Sequence, residues 1–367
     1  MPSLPHRSPV PGHLLAILCL AVLSACSSPA PEEPLVVEEE VPRYNFDDAA
    51  PWYPCPETTS FDERVVEVVA MDGVHQYFGD EDRRTVDTPV TFPEGDWSQV
   101  GLKLELACPE GMVCDHWDRT ASLELITNPD AAEDDQNRVE LARHITPYRR
   151  GMCQYIDLTP LAGLLTGERA LRSFIDTWVG PGHEQGEGWE VSATFYLTPG
   201  YPEAADEVIN LIARQAITVG EVEPDQNVAS QLPELSFTLP ESFRRVEAHL
   251  TTTGHSFGNT RNCAEFCEMR HDLLLNDDAL FSVNPWRADC ALNPVSPQAG
   301  TWEYARNGWC PGAVSVGDRV DLTDAVQPGD NTLSLNILLA DGSEYDNTSP
   351  VDLLPSTQVA LKLYVWR

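Results

Sequence analysis

The chain has 367 residues, a length typical of two domains, and its 58 acidic and 23 basic side chains give a formal net charge of −35. So negative a surface repels phosphate, which argues against binding of nucleic acid or of anionic lipid headgroups. Hydrophobic residues make up 42% of the chain, enough for a folded core, and 30 prolines with 23 glycines indicate many turns.

Residues 1–25 predict an export signal. Arg7 precedes an apolar run over residues 13–23 that is too short to span a membrane. The run ends in Leu23-Ser24-Ala25-Cys26, which resembles a bacterial lipobox with Cys26 as the lipidated first residue of the mature chain. An ordinary signal peptide is the alternative. Both interpretations place the protein in a compartment where disulfides persist. It is expected to be either anchored by lipid to the outer membrane of the cell envelope or secreted.

Residues 26–58 predict an acidic, proline-rich tether. Seven acidic side chains, one arginine and four prolines fall within residues 27–50. Like charges and prolines keep a segment extended, so a spacer is favoured over an acidic interaction tail.

Beyond the tether, the hydrophobic pattern has a period of two. Apolar residues alternate with other residues over 100–107, 189–197, 333–339 and 359–365, which predicts half-buried β-strands. Short helices are expected only at 160–165 and 202–214. Closely spaced strands without βαβ alternation predict an all-β fold of antiparallel sandwiches with few short helices. A proline- and glycine-rich turn near residue 200 divides a first sandwich, 59–200, from a second, 201–367.

Eight cysteines remain after Cys19 of the signal and Cys26. Eight cysteines allow 105 disulfide connectivities, and the spacing of the cysteines in the sequence favours some of them. Short spacing favours Cys108–Cys114, Cys263–Cys267 and Cys290–Cys310, which leaves Cys55–Cys153 by elimination. A zinc site formed by Cys263, Cys267 and His271 on one helical face is the alternative. That set has no evident fourth ligand, and an oxidising compartment favours the disulfide.

Three short clusters place carboxylates beside aromatic rings. They are the run Asp115–Arg119 behind Cys114, the sequence Asp176-Thr177-Trp178, and Glu265 with Phe266 between Cys263 and Cys267. Indole faces stack on sugar rings, while carboxylates and guanidinium groups hydrogen-bond sugar hydroxyls. Each cluster alone is typical of a buried aromatic beside an ion pair. Three together in an exported chain indicate a carbohydrate-binding or carbohydrate-active protein.

At these clusters the chain resembles the bacterial peptide-N-glycosidase F family, enzymes that cut N-glycans from asparagine. Matching blocks keep the family's order over residues 70–320: Phe78-Gly79-Asp80, Thr91-Phe92-Pro93, Cys114 to Arg119 (CDHWDR), Ile145-Thr146-Pro147-Tyr148, Ile156-Asp157-Leu158-Thr159, Asp176-Thr177-Trp178, Cys263 to Cys267 (CAEFC), Asn293-Pro294 and Arg306 to Gly312 (RNGWCPG). The resemblance implies two adjacent eight-stranded antiparallel jelly rolls with the site in the cleft between them. The family's disulfides match the three pairs favoured by spacing, and Cys55 and Cys153 lie outside them.

The resemblance also implies site residues. Asp118 matches the family's principal catalytic aspartate, Glu265 its second essential carboxylate, and Asp176 the position of an accessory glutamate. Arg119 and Arg306 match site arginines. Further cleft positions are aromatic in the family, and here they are Trp117, Trp178, Trp309 and Phe266.

The implied reaction is hydrolysis of the amide between the innermost N-acetylglucosamine and asparagine in glycoproteins or glycopeptides, which converts Asn to Asp. Asp118 would activate or orient the attacking group, and Glu265 would hold the diacetylchitobiose and water. Arg119 and Arg306 would stabilise charge on the carbonyl oxygen. No metal or other cofactor is required.

The chain departs from the family pattern at four places. Asp176 is one methylene shorter than the family's glutamate, Phe266 replaces an indole, and His116 stands where a carboxylate is usual. The loop at 254–258 is also shorter.

Two other functions compete with the amidase. One is a non-catalytic lipoprotein that grips N-glycans in the same cleft, against which the retention of both Asp118 and Glu265 argues. The other is a copper-dependent monooxygenase, which has the same paired jelly rolls. It needs clustered histidines, and the nine histidines here include no His-His or His-x-His pair.

Overall fold

The part of the chain that the computed structural model describes contains nineteen β-strands, many of which alternate buried and more exposed side chains. The described residues are 40–46, 51–56, 61–218, 228–232, 234–255, 264–344 and 355–367. The predicted signal peptide, the lipidation residue Cys26, much of the tether, Cys263 and residues 256–258 of the shortened loop lie outside them. Among the described residues, no helix is long and apolar enough to cross a membrane.

The first sandwich consists of eight strands, which are β1 (Val66–Gln76), β2 (Thr85–Phe92), β3 (Trp97–Ala107), β4 (Thr120–Ile126), β5 (Arg138–Ile145), β6 (Met152–Asp157), β7 (Gly167–Ile175) and β8 (Trp189–Pro199). One sheet has the order β1-β8-β3-β6, and the other contains β5-β4-β7-β2. Successive side chains of a strand point to opposite faces. Leu102 and Leu104 of β3 therefore share a buried core with Trp189 and Phe195 of β8.

The second sandwich also has eight strands, which are β9 (Glu207–Thr218), β10 (Leu235–Leu239), β11 (Arg245–His255), β12 (Met269–Leu275), β13 (Ala279–Val283), β17 (Asp318–Asp321), β18 (Gly329–Leu339) and β19 (Ser356–Trp366). Their sheet orders are β10-β18-β12-β13 and β17-β11-β19-β9. Leu250, Leu273, Leu335 and Leu361 lie in the core between the sheets. The predicted all-β fold of two antiparallel sandwiches is confirmed, whereas the exact domain limits stay a prediction.

One of the two helix predictions is wrong. Residues 202–214 contain most of strand β9, which pairs with β19 along nearly its whole length. Pairing with β19 and burial of Ile212 and Ile217 outweigh any local helical preference. The other predicted helix is present as a short 3-10 helix, Thr159–Leu164, and one α-helical turn, α1 (Val228–Gln231), stands among the described residues.

Polar contacts and one crossing strand join the sandwiches into a single compact unit. Strand β16 (Ala313–Ser315) follows the second sandwich's β13 in the chain but pairs with β5 of the first. The Arg143 guanidinium donates to the Gln358 carbonyl at 2.7 Å, and the Lys362 ammonium donates to the Glu140 carbonyl at 2.7 Å. Each sandwich thus satisfies buried polar groups of the other.

Three disulfides are present among the described residues: Cys55–Cys153, Cys108–Cys114 and Cys290–Cys310. Cys267 is also disulfide-bonded, while its predicted partner Cys263 lies outside the described residues. The helical face proposed for a zinc site is wrong, because His271 lies on strand β12.

The segment before β1 is fastened to the outer face of the first sandwich. The Phe46 ring stacks on Tyr155 at 5.2 Å between centroids, and the Tyr155 amide donates to the Tyr53 carbonyl at 2.8 Å. The Cys55–Cys153 bridge closes this attachment covalently across 98 residues of sequence.

We expect this long-range disulfide to stabilise the fold more than the local one does. Loop entropy lost by the unfolded chain grows with loop length, and it predicts a stabilisation of about 4.7 kcal/mol for a loop near 100 residues and about 2 kcal/mol for a six-residue loop. Cys55→Ser with Cys153→Ser should therefore lower the free energy of unfolding more than Cys108→Ser with Cys114→Ser. Denaturant unfolding of both double variants measures the difference, and equal losses would contradict the expectation.

Candidate functional site

A buried arginine joins carboxylates from the two halves of the molecule. Arg306 lies on the two-residue strand β15 (Arg306–Asn307), which pairs with β14 (Trp286–Arg287). Its Nη2 is 3.5 Å from Oδ2 of Asp118, and its Nε donates to Oε1 of Glu265 at 3.1 Å. The Arg306 side chain is fully buried, and both carboxylates are largely so. The two acids predicted from sequence are therefore brought to one guanidinium.

The remaining donors of Arg306 are held by one turn. Its Nη1 donates to the Thr301 and Tyr304 carbonyls, both at 2.9 Å, and its Nη2 donates to the Thr301 hydroxyl at 2.9 Å. The rings of Phe266 and Trp309 lie 5.0 and 4.7 Å from its guanidinium carbon. A guanidinium hydrogen-bonded and stacked in this way has little freedom to reorient.

Asp118 lies where its ionised form is poorly solvated. Burial raises the pKa of Asp118 above its ordinary value of 3.8, and interactions with Tyr148, Arg306 and Arg119 oppose that rise only in part. Within the described structure its Oδ2 accepts no hydrogen bond. The Tyr148 hydroxyl meets the Thr301 hydroxyl at 3.2 Å, so Tyr148 and Thr301 connect the surroundings of Asp118 to Arg306. A carboxylate with a raised pKa is suited to accept a proton.

A second aspartate, Asp115, shapes the loop that carries Asp118. Its fully buried carboxylate accepts from the Arg119 guanidinium at 2.7 Å and from the Thr177 hydroxyl at 2.7 Å. It also accepts from the backbone amide of Trp117 at 3.0 Å. The guanidinium of Arg119 is thus committed to Asp115, a positioning contact rather than one with Asp118.

Asp176 and Trp178 lie on the neighbouring segment. The Asp176 amide donates to the Thr120 carbonyl at 2.9 Å, which joins this segment to the start of β4. The Asp176 side chain is partly open to solvent and lies 3.7 Å from the Arg84 guanidinium. Partial burial raises the pKa of Asp176, with Arg84 and Arg119 opposing the rise. No described contact joins Asp176 to Asp118 or Glu265.

The predicted aromatic residues fall into two groups. Trp117 and Trp178 are 49% and 53% exposed, and Arg84 stacks on the Trp178 ring at 4.5 Å. Trp309, in contrast, is only 3% exposed, and its indole N–H donates to the Gly254 carbonyl at 2.7 Å. Trp309 therefore packs against Arg306 inside the protein. Trp117 and the part of Trp178 that Arg84 does not cover are open to solvent.

The described residues contain no group of three or more His, Cys, Asp or Glu side chains placed to hold a metal ion. Three histidines of the second sandwich have protein partners. His249 faces Tyr364 and Val316, His255 faces Thr253 and Thr120, and His271 faces Thr252. Burial lowers the pKa of both His249 and His255 to about 3, so both are neutral at physiological pH.

Sequence reasoning assigned no role to Asp115, Tyr148 or Thr301. Asp115 and Tyr148 belong to the matched motifs, but the motifs do not indicate what either side chain contacts. Thr301 carries no sequence signal, because its role depends on a turn that brings its carbonyl and hydroxyl to Arg306.

Comparison with known proteins identifies similar sequences and folds. A family model described as Peptide-N-glycosidase F, C terminal, matches residues 224–353. A Peptide-N(4)-(N-acetyl-beta-D-glucosaminyl)asparagine amidase F from Elizabethkingia miricola is 28% identical over 275 residues, which cover 71% of this chain and 73% of that protein. The structure of PNGase F, a glycosylasparaginase from Flavobacterium meningosepticum, has a TM-score of 0.67 at 21% identity and covers 83% of this chain and 96% of its own. The structure of PNGF-II has a TM-score of 0.62 at 16% identity, and the match covers 83% of this chain and 66% of PNGF-II. The predicted resemblance is confirmed in sequence and in fold.

Asp115→Asn should destabilise the protein by about 3 kcal/mol, since it leaves the Arg119 guanidinium without its buried counterion. Arg119 is partly open to solvent, which places the loss at the lower end of the range for broken buried pairs. Urea unfolding measures the change. Asp62→Asn, which removes a solvent-exposed pair with Arg64, is the matched control and should change stability little. Equal effects of the two substitutions would contradict the role given to Asp115.

Asp118→Asn should stabilise the protein at neutral pH. Because the folded-state pKa of Asp118 is raised, the folded protein holds its proton more tightly than the unfolded chain does. Stability therefore falls as the pH rises from the ordinary pKa of 3.8 through the folded pKa, and the asparagine variant avoids this fall. Thermal unfolding from pH 3 to pH 7 should show a difference that grows with pH. A variant less stable than the wild type at pH 7 would refute the expectation.

Proposed function

We propose that this chain, which is related to the peptide-N-glycosidase F family in sequence and fold, is an exported amidase that releases N-linked glycans from asparagine. The observation that supports this most directly is the pair of carboxylates, Asp118 and Glu265, held by one buried guanidinium. Two half-exposed indoles, Trp117 and Trp178, add surfaces on which sugar rings can stack.

The substrate class follows from the family and from the side chains. Indole faces suit the C–H faces of N-acetylglucosamine rings, and carboxylates accept hydrogen bonds from sugar hydroxyls and amides. We therefore propose N-glycosylated proteins or peptides as substrates, with the innermost N-acetylglucosamine and its asparagine at Asp118 and Glu265. Asp176 would contact the sugar from the Trp178 side, as its match to an accessory acid implies.

The reaction requires proton transfer at two atoms. A water molecule adds to the asparagine side-chain carbonyl, and Asp118 accepts a proton from it. The carbon–nitrogen bond then breaks, and the leaving nitrogen takes up a proton. The products are an aspartate residue and a glycosylamine, which water later converts to ammonia and free sugar. The raised pKa of Asp118 fits a group that gains a proton in the first step and returns it in the second.

Glu265 and the arginines position these groups. Glu265 would hold the sugar and the water, and its ion pair with Arg306 fixes its orientation. Arg306 is shared between two acids, so we assign it the joint placement of both carboxylates as well as stabilisation of carbonyl charge. Arg119, which binds Asp115, is assigned to positioning of the Trp117–Asp118 loop rather than to the carbonyl oxygen.

The place of action is the cell envelope. We propose that Cys26 carries the lipid and that the acidic tether separates the membrane from the folded part. The disulfides described above are in keeping with an oxidising compartment.

Activity is tested with the purified full chain and a denatured N-glycoprotein, using mass spectrometry to detect free glycan and conversion of Asn to Asp. Asp118→Asn should reduce release at least about 100-fold, the size typical of losing a general base. Glu265→Gln should also impair release, whereas Asp130→Asn in an exposed turn is the matched control and should not.

Two outcomes would overturn the amidase. One is the absence of release by the wild-type protein, and the other is undiminished release by Asp118→Asn. Tight binding of the glycopeptide without release would instead identify the non-catalytic glycan-binding protein.

A further inference from the structure

A cavity of about 260 Å³ lies between the two sandwiches, apart from the carboxylate site. Its walls come from strands β5, β6, β11, β16, β17 and β19 and from the 3-10 helix Thr159–Leu164. Phe46 and Tyr53 of the segment before β1 also line it. Neither Asp118, Glu265 nor Arg306 takes part. The cavity is slightly below the 300–1,000 Å³ typical of drug-sized ligands, so a small molecule fits it.

A buried lysine lines this cavity with donors to spare. Lys362 is 4% exposed, and its Nζ donates to the Glu140 carbonyl at 2.7 Å. An ammonium group has three donors, and among the described residues no carboxylate lies within ion-pairing distance of this one. Burial, with Arg143 and Arg319 nearby, lowers the pKa of Lys362 to about 8, while Glu140 opposes this fall.

The acids near Lys362 have other partners. The Glu140 carboxylate accepts from the Arg143 guanidinium at 2.6 Å, and Asp157 accepts hydrogen bonds from the Thr159 amide and hydroxyl. The lining therefore holds three permanently or readily charged cations, Lys362, Arg143 and Arg319, against two acids. Arg319 is also paired with Glu247, just outside the lining, at 3.6 Å, so among the described residues Lys362 is the lining cation without a carboxylate partner.

Two further polar groups define what the cavity can bind. The Ser315 hydroxyl is buried and has no hydrogen-bond partner in the described structure. His249 is neutral, because burial lowers its pKa to about 3. Its Nε2 lies 2.7 Å from the Val316 carbonyl, which can only accept, so Nδ1 must accept from the Tyr364 hydroxyl at 3.0 Å. His249 and Tyr364 thus satisfy each other, while Lys362 and Ser315 keep donors that nothing accepts.

We propose that this cavity is a binding site for a small oxyanion, either an organic carboxylate or an inorganic phosphate or sulfate. The anion would accept from the Lys362 ammonium and the Ser315 hydroxyl. A bound anion would also bridge β16 of the first sheet system and β19 of the second, because Ser315 and Lys362 lie on these strands.

The presence of only two lysines, Lys103 and Lys362, makes the test direct. The full chain labelled with ¹³C at the lysine ε-carbon gives one signal for each, assigned with Lys103→Met. Succinate and inorganic phosphate are titrated separately, each against chloride at equal ionic strength. An anion beside Lys362 should raise the midpoint of its pH titration by about one unit or more, and the Lys103 signal should not respond.

Variants measure the binding itself. By calorimetry at pH 6.5, Lys362→Met should weaken the binding of the effective anion at least about tenfold, and Ser315→Ala about two- to tenfold. Lys103→Met, which removes a surface lysine paired with Glu105, is the matched control and should bind normally. Wild-type affinity should fall as the pH rises through 8, because Lys362 loses its proton.

A response to succinate alone identifies a carboxylate site, and a response to phosphate alone identifies an inorganic oxyanion site. The proposal is overturned if neither anion moves the Lys362 signal, or if both lysine signals move alike. Undiminished binding by Lys362→Met would overturn it as well. The titration of the wild-type protein decides the matter even if a variant does not fold.

Discussion

The guanidinium of Arg306 is the constraint on which the carboxylate site depends. An arginine without solvent is tolerated only when acceptors surround it, and here they come from both halves of the chain. Asp118 stands just before β4 of the first sandwich, while Glu265 lies ahead of β12 of the second. The two acids are consequently held together only when the sandwiches are docked. Burial at this point favours the neutral form of Asp118, against the influence of Arg306, so the site is assembled at the expense of local stability.

Docking of the sandwiches relies on directional polar contacts as much as on apolar packing. Arg143 and Lys362 each reach a backbone carbonyl of the opposite sandwich, and Arg214 meets Glu124 across the same boundary at 2.8 Å. Buried charges of this kind add little net stability, yet removing one partner is costly, so they penalise any misaligned arrangement. The carboxylate site needs atoms from both sandwiches to meet at the contact distances of Arg306 with Asp118 and Glu265, and a directional interface supplies that alignment.

The strands and their burial could be predicted from local alternation, as residues 100–107 and 359–365 illustrate, because period two follows directly from strand geometry. Strand β9 could not, since its structure depends on pairing with β19 at the far end of the chain. Motifs located Asp118 and Glu265, but a sequence does not state which of two nearby acids pairs with a given arginine. It therefore gave no hint that Asp115, rather than Asp118, binds Arg119. The resemblance predicts Trp309 as an aromatic residue of the cleft, whereas the structure buries it with its indole N–H bonded to the Gly254 carbonyl.

Strand β16 bears on the order in which the protein matures. The first sandwich presents β5 as an open sheet edge until residues 313–315 arrive, and these follow most of the second sandwich in the chain. Exposed sheet edges can pair with strands of other chains. An incompletely synthesised or truncated molecule therefore exposes the unpaired edge of β5, which the complete molecule covers with β16. Arg306 precedes β16 by only a few residues. Closing of that edge and arrival of the guanidinium between the two acids are therefore late and nearly simultaneous events, and a partial chain has neither a finished sheet nor the paired carboxylates.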